Sequence, residues 1–230
     1  MLVLALKLTL APAFVVAASL TARRLGPRIG GLVGGLPVVG GPILLVLAVV
    51  HDGPFAGRAA TAALLGLISL AAFVVAYALA APRGWPIALA AAWLAFGLGT
   101  VAFALLTAAV DVPPAVGLLA ACASFVAAAR WFPSAAEAPS VPSPPPPPAW
   151  DLPVRAACAG AMVLAVTAVA SAAGSRVAGL LAPAPIITSI LAAFTHAQAG
   201  APTALRVLRG MLTGFFVFAA FCWAVAEIAL

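Results

Sequence analysis

The charged residues of this chain stand almost entirely in the gaps between long apolar runs, and that arrangement leaves few folds open. Of 230 residues, 66% are hydrophobic and 7% are charged, and the mean hydropathy is +1.24. A soluble surface needs roughly a quarter to a third of its positions charged, so a soluble globular enzyme, a disordered tail and a disulfide scaffold are excluded. The runs are about 20 residues long, the length a helix needs to cross a bilayer. Strands of a membrane barrel would alternate apolar and polar side chains, whereas these runs are continuous. The sequence predicts an all-α, polytopic transmembrane helix bundle.

Eight spans can be drawn: Leu2–Leu20, Gly31–Val50, Ala59–Ala81, Trp85–Val110, Pro114–Ala129, Leu152–Ala172, Gly179–Thr195 and Val207–Leu230. Residues 1–132 then form an N-terminal membrane half of about five spans, and residues 151–230 a C-terminal half of about three. The segment 133–150 between them contains SVPSPPPPPA. Its run of prolines enforces an extended polyproline II rod, read first as a spacer and second as a docking strip for a proline-recognition module.

The net charge is +6. No basic patch is interleaved with exposed aromatics, so nucleic acid is not an expected partner; the arginines set orientation instead. If the first loop is cytoplasmic, that side collects Arg23, Arg24, Arg28, Arg83, Arg130, Arg155, Arg206 and Arg209, and the other side holds Arg58 and Arg176. The positive-inside rule then places both termini in the periplasm of a bacterial inner membrane and the proline-rich segment in the cytoplasm. Trp85, Trp131 and Trp150 flank spans and suit an aromatic belt.

An internal repeat follows from residues 7–37 and 155–185, which align at a constant offset. Lys7 pairs with Arg155, Gly26 with Gly174, Arg28 with Arg176, Gly31-Leu32 with Gly179-Leu180 and Pro37 with Pro185. After short slips, His51 pairs with His196, Gly66 with Gly210 and Ser69 with Thr213. Alanine matches are cheap in this composition; aligned Gly, Pro, Arg and His are not. Spans one to three and six to eight are thus two copies. Five crossings separate their starts, so the copies are inverted, and each carries its excess arginine on whichever loop faces the cytoplasm. Inverted-topology repeats are a common build of secondary transporters.

The second span of each copy holds the candidate site. One reads GGLVGGLPVVGGP, with Pro37, Gly40, Gly41 and Pro42; the other reads GLLAPAPIITS, with Pro183, Pro185, Thr188 and Ser189. Paired Gly/Pro-interrupted spans at corresponding positions point to a binding site at membrane depth, where unwound backbone survives only if protein or a water-filled cavity satisfies it. The plainer alternative is a pair of packing kinks between closely approaching helices. Lys7 and Arg155, near the starts of spans one and six, are candidate substrate-binding cations or snorkelling side chains. His51 and His196 end the two broken spans and are candidate gating residues.

The three cysteines lie within apolar runs without metal-ligand spacing, so no metal or disulfide is expected. No nucleotide-binding loop, nucleophile elbow or zinc-protease motif occurs, so neither an enzyme nor a cofactor is expected, and no carboxylate is placed at mid-membrane.

The stretch GLLAPAPIITSILAAFTH, followed by Arg206, Arg209 and Gly210, resembles the small bacterial inner-membrane family called GlpM through Gly179-Leu180, Pro185 and His196. The resemblance covers one copy, about 80 residues, and implies a bacterial inner-membrane protein linked to envelope polysaccharide production. The first copy departs from it in its many glycines, and spans four and five have no counterpart. The leading functional expectation is a secondary transporter or permease for a small solute, for which Lys7 and Arg155 admit an anion. The alternative is a non-transporting scaffold for envelope or polysaccharide assembly. The expected surroundings are the lipid bilayer, with a homo-oligomer left open.

Overall fold

The computed structural model describes residues 2–37, 41, 53–132, 148–173 and 180–229. Among them every regular element is helical: α1 (Leu2–Leu25), α2 (Pro27–Gly34), α3 (Gly53–Ala80) with a 3₁₀ turn Ala81–Arg83, α4 (Trp85–Ala109), α5 (Pro114–Arg130), α6 (Asp151–Ala173) and α7 (Ile186–Ala229). Among the described residues five helices are long and apolar enough to cross a membrane, and α5, with 17 residues, is shorter. The second expected span is described only at residues 31–37 and 41. Its helix begins at Pro27 and stops at Gly34, and Gly40, Pro42 and His51 lie outside the described residues.

Sharp corners share one chemistry. Gly26, Gly84 and Gly200 all have positive φ, at 97°, 98° and 79°, and each is followed within two residues by proline. Glycine takes the conformation that a side chain resists, and proline starts the next helix where its missing N–H costs nothing. A corner at Gly200 stands in place of the loop expected between Thr195 and Val207. Residues on both sides of Gly200 are helical, and the break is confined to that one residue.

The chain doubles back there. The side chains of Leu191 and Met211 lie 2.8 and 2.7 Å from the Cβ position of the same residue, Gly34. In a straight helix, residues that far apart in sequence would be separated by about 30 Å. A straight helix over the apolar stretch Ile186–Ile228 would also be about 64 Å long, twice the hydrocarbon thickness. α7 is therefore a hairpin of two arms, 186–199 and 201–229. Gly200 has ψ 167°, a combination nearly exclusive to glycine, so Gly200→Ala should lower stability by about 1–3 kcal/mol. Thermal unfolding in detergent should show this as a lowered midpoint. Gly160→Ala is the control: an added Cβ there meets nothing within 4 Å, and it should be neutral or stabilising.

α3 is the central helix, with 67% of its apolar stretch buried against 17% for α4 and for α6. Leu64, Leu67, Phe73, Val74 and Tyr77 form its core face, joined by Phe96 of α4, Phe125 of α5 and Phe215 of the second arm of α7. This one core draws on residues of both expected halves of the chain. The outer face of α4 exposes Leu94, Leu98, Val101 and Leu105, all more than half accessible. Their spacing is one helical stripe, the face that lipid would cover. A second, smaller cluster joins Ala11 and Val15 of α1, Ala159 and Val163 of α6, and Ile186 and Ile190 of the first arm. The last turn of α1 meets the first turn of α6 through Arg23 and Asp151, so these two helices run antiparallel.

α2 lies parallel to the start of the second arm at near backbone contact. A Cβ on Gly31 would collide with the Val207 carbonyl, and one on Gly210 with the Arg28 carbonyl. Gly35 and Gly214 repeat this contact one turn further on, against Met211 and Leu32. Small residues four apart on both partners permit such an approach.

Candidate functional site

The two interrupted segments come together. A cavity of about 50 Å³ is lined by Gly34, Gly35 and Leu36 at the end of α2 and by Ala182–Ala184 and Ile186–Thr188 at the start of α7, with Leu70, Phe215 and Phe218 behind. That volume is comparable to one or two water molecules. Proline accounts for the break on the α7 side. Pro183 and Pro185 offer no N–H, and residues 181–185 form turns closed by the bonds from Ala184 N–H to the Leu181 carbonyl (3.0 Å) and from Ile186 N–H to the Ala184 carbonyl (2.7 Å). The cavity is therefore met by the first turn of the arm, where backbone N–H groups lack intrahelical acceptors and the helix dipole is positive.

Of the expected site residues, Pro183 and Thr188 line this cavity. Thr188 and Ser189 are both buried, and the Ser189 hydroxyl has no hydrogen-bond partner among the described residues. Pro185 accepts the Ser189 N–H at 2.9 Å, and Pro37 accepts the Gly41 N–H at 2.7 Å. Gly41 is buried against Phe221. Lys7 belongs to α1, but its side chain lies outside the described residues.

Arg155 lies in a different place, in a polar cluster beside the bend of α7. Asp151, fully buried, accepts from Arg155 Nε at 2.8 Å, and its two oxygens are also held by Arg23 and by the Gln198 amide. Arg155 donates in turn to the Gln198 carbonyl oxygen at 3.1 Å, and its guanidinium sits 4.8 Å over the ring of Phe194. Three helices thus converge on one carboxylate: α1 through Arg23, α6 through Asp151 and Arg155, and the first arm of α7 through Phe194 and Gln198. Satisfying a buried carboxylate this fully is what makes it tolerable in an apolar setting.

His196 lies between Phe194 and Gln198 in sequence and bonds the other way, to α3. Its Nδ1 and the Tyr77 hydroxyl share a hydrogen bond of 3.2 Å, with ring centroids 6.0 Å apart. Tyr77 itself is fully buried and stacks on Phe73.

Asp151, Arg23, Gln198, Phe194 and Tyr77 are not among the site residues expected from sequence. One signal was present: Asp151 and Arg155 are four apart at a helix start, the spacing of an intrahelical ion pair. The partners on other helices had no signal, because only the docking of α1 against α6 brings Arg23 to Asp151. No family model matches the chain, and it matches no curated protein sequence and no solved structure.

Proposed function

We propose that the protein is a secondary transporter or permease of a bacterial inner membrane, and that a small solute passes through the cavity where the two interrupted segments meet. The observation that carries this reading is that the cavity is built from both Gly/Pro-broken segments at once, the arrangement that places substrate sites at the interface of repeats. Exchanged contacts support the inverted repeat itself. Leu32 pairs in sequence with Leu180, and Gly66 with Gly210. Gly210 packs against Leu32, and Gly66 packs against Leu180. The offset of the first alignment also carries Ala11 onto Ala159 and Val15 onto Val163, four members of one cluster. A two-fold axis between the copies generates both patterns. In this reading the proline-rich segment is cytoplasmic, following the arginines.

Substituted-cysteine labelling tests the proposal. Cysteines at Leu36, Ala184 and Thr188 should react with a water-borne maleimide, whereas cysteines at the outward-facing Leu98 and Leu105 should not. Absence of reaction at all three cavity positions would remove the transport reading. An envelope-assembly scaffold would then be the better account, and deleting Pro144–Pro148 should abolish its function while Pro37→Ala and Pro185→Ala leave it intact.

A further inference from the structure

We infer that the last turn of the first arm of α7, residues 194–198, closes the cavity on the side of the proline-rich segment because it is clamped from two directions at once. The inference rests on the transport reading and adds a named closure to it. On one side of the turn, Gln198 and Phe194 hold the Asp151–Arg155 pair of α6, which also engages Arg23 of α1. On another side, His196 holds Tyr77 of central α3. The cavity is lined by Ile186–Thr188 of the same arm, about 16 Å along the helix from Gln198. For solute to leave on this side, the arm must part from α3, from α6, or from both.

The repeat makes the clamp one-sided. The offset that pairs Lys7 with Arg155 pairs Asp151 with Val3. The offset that pairs Gly66 with Gly210 pairs Tyr77 with Phe221. At the positions equivalent to the clamp, the first has lost its carboxylate and the second its hydroxyl. Phe221 packs on Gly41 of the other broken segment. Two copies that rock about a common axis need ties of unequal strength to favour one closed end, and among the described residues these polar ties between helices lie at the end near Trp150 and Asp151. The structure is accordingly the state closed toward the proline-rich segment.

The test uses the full-length chain with Cys122, Cys158 and Cys222 replaced by serine and one cysteine introduced at Ala184. After reconstitution in vesicles of known sidedness, an impermeant maleimide is added from each face in turn. The parent should label slowly from the face carrying the proline-rich segment and faster from the other. Asp151→Asn should raise labelling from the slow face by more than about tenfold, because two guanidiniums lose their counter-charge. Tyr77→Phe, which keeps the ring and cannot unfold the core by leaving a void, should raise it about fivefold, the worth of one hydrogen bond. Asp151→Glu should restore slow labelling, and Leu98→Ala on the outer face should change nothing. If Tyr77→Phe and Asp151→Asn both leave the slow face unchanged while the other face labels normally, the clamp is wrong and the transport reading stands. If Ala184→Cys is unreactive from both faces in parent and variants alike, the transport reading fails and the clamp with it.

Discussion

Replacing Asp151 with alanine should destabilise the protein by about 3–5 kcal/mol. The carboxylate is fully buried and the side chain of Arg155 is 6% exposed, so its removal strands a cation that water does not reach. Arg23, about a third exposed, contributes little to this figure because solvent screens it. The physical content lies in a double-mutant comparison. Arg155→Met alone leaves the carboxylate with Arg23 and the Gln198 amide and should cost less. Asp151→Leu combined with Arg155→Met removes both charges and should recover most of the loss, since a buried pair replaced by apolar side chains of similar volume is close to neutral. Chemical or thermal unfolding of the four proteins in one detergent measures it. Additive losses in the double variant would mean that the two residues do not act as a pair.

The second large effect is expected at the glycine contact between α2 and the second arm of α7. Gly210→Leu should cost about 3 kcal/mol or more, and Gly31→Leu a similar amount. A Cβ at either position meets backbone carbonyl oxygen of the opposite helix, so no rotamer change relieves the collision and the helices must separate. Because both substitutions push the same pair apart, the double variant should lose less than the sum. The cavity reports the same displacement: Gly34 and Gly35 of α2 line it, so cysteine reactivity at Ala184 should change in Gly210→Leu. Retention of the parent unfolding midpoint by Gly210→Leu would show that the two helices do not touch.

Much of this architecture could be read in the sequence, and the reasons are local. α4 and α5 begin at Trp85 and Pro114, where they were expected, because a helix start marked by proline is a property of a few neighbouring residues. The broken segments were legible for the same reason. The reversal in α7 was legible only in part. Gly200 and Pro202 are corner residues, but the polar run from His196 to Thr203 reads as a loop, and nothing local shows that helix continues to within a residue of the corner on both sides. The polar cluster was the least legible. By sequence Arg155 is a candidate substrate-binding or snorkelling cation, and in the structure its charge is taken up by Asp151, Gln198 and the face of Phe194. Arg23 reads as a loop charge by sequence, and 128 residues separate it from the carboxylate it holds. Pairings across helices depend on how apolar faces dock, and the faces of α1 and α6 carry small residues that would allow many registers.

The central claim is that two related copies lie in opposite orientations and meet at their broken helices. It is tested most directly by the sidedness of two single cysteines, at Arg28 in the first copy and at its sequence partner Arg176 in the second, each labelled by an impermeant maleimide in intact and in everted membrane vesicles. The account predicts opposite faces, with Arg28→Cys on the face that also exposes a cysteine at Ala149 in the proline-rich segment. Labelling of both Arg28→Cys and Arg176→Cys from the same face would contradict it.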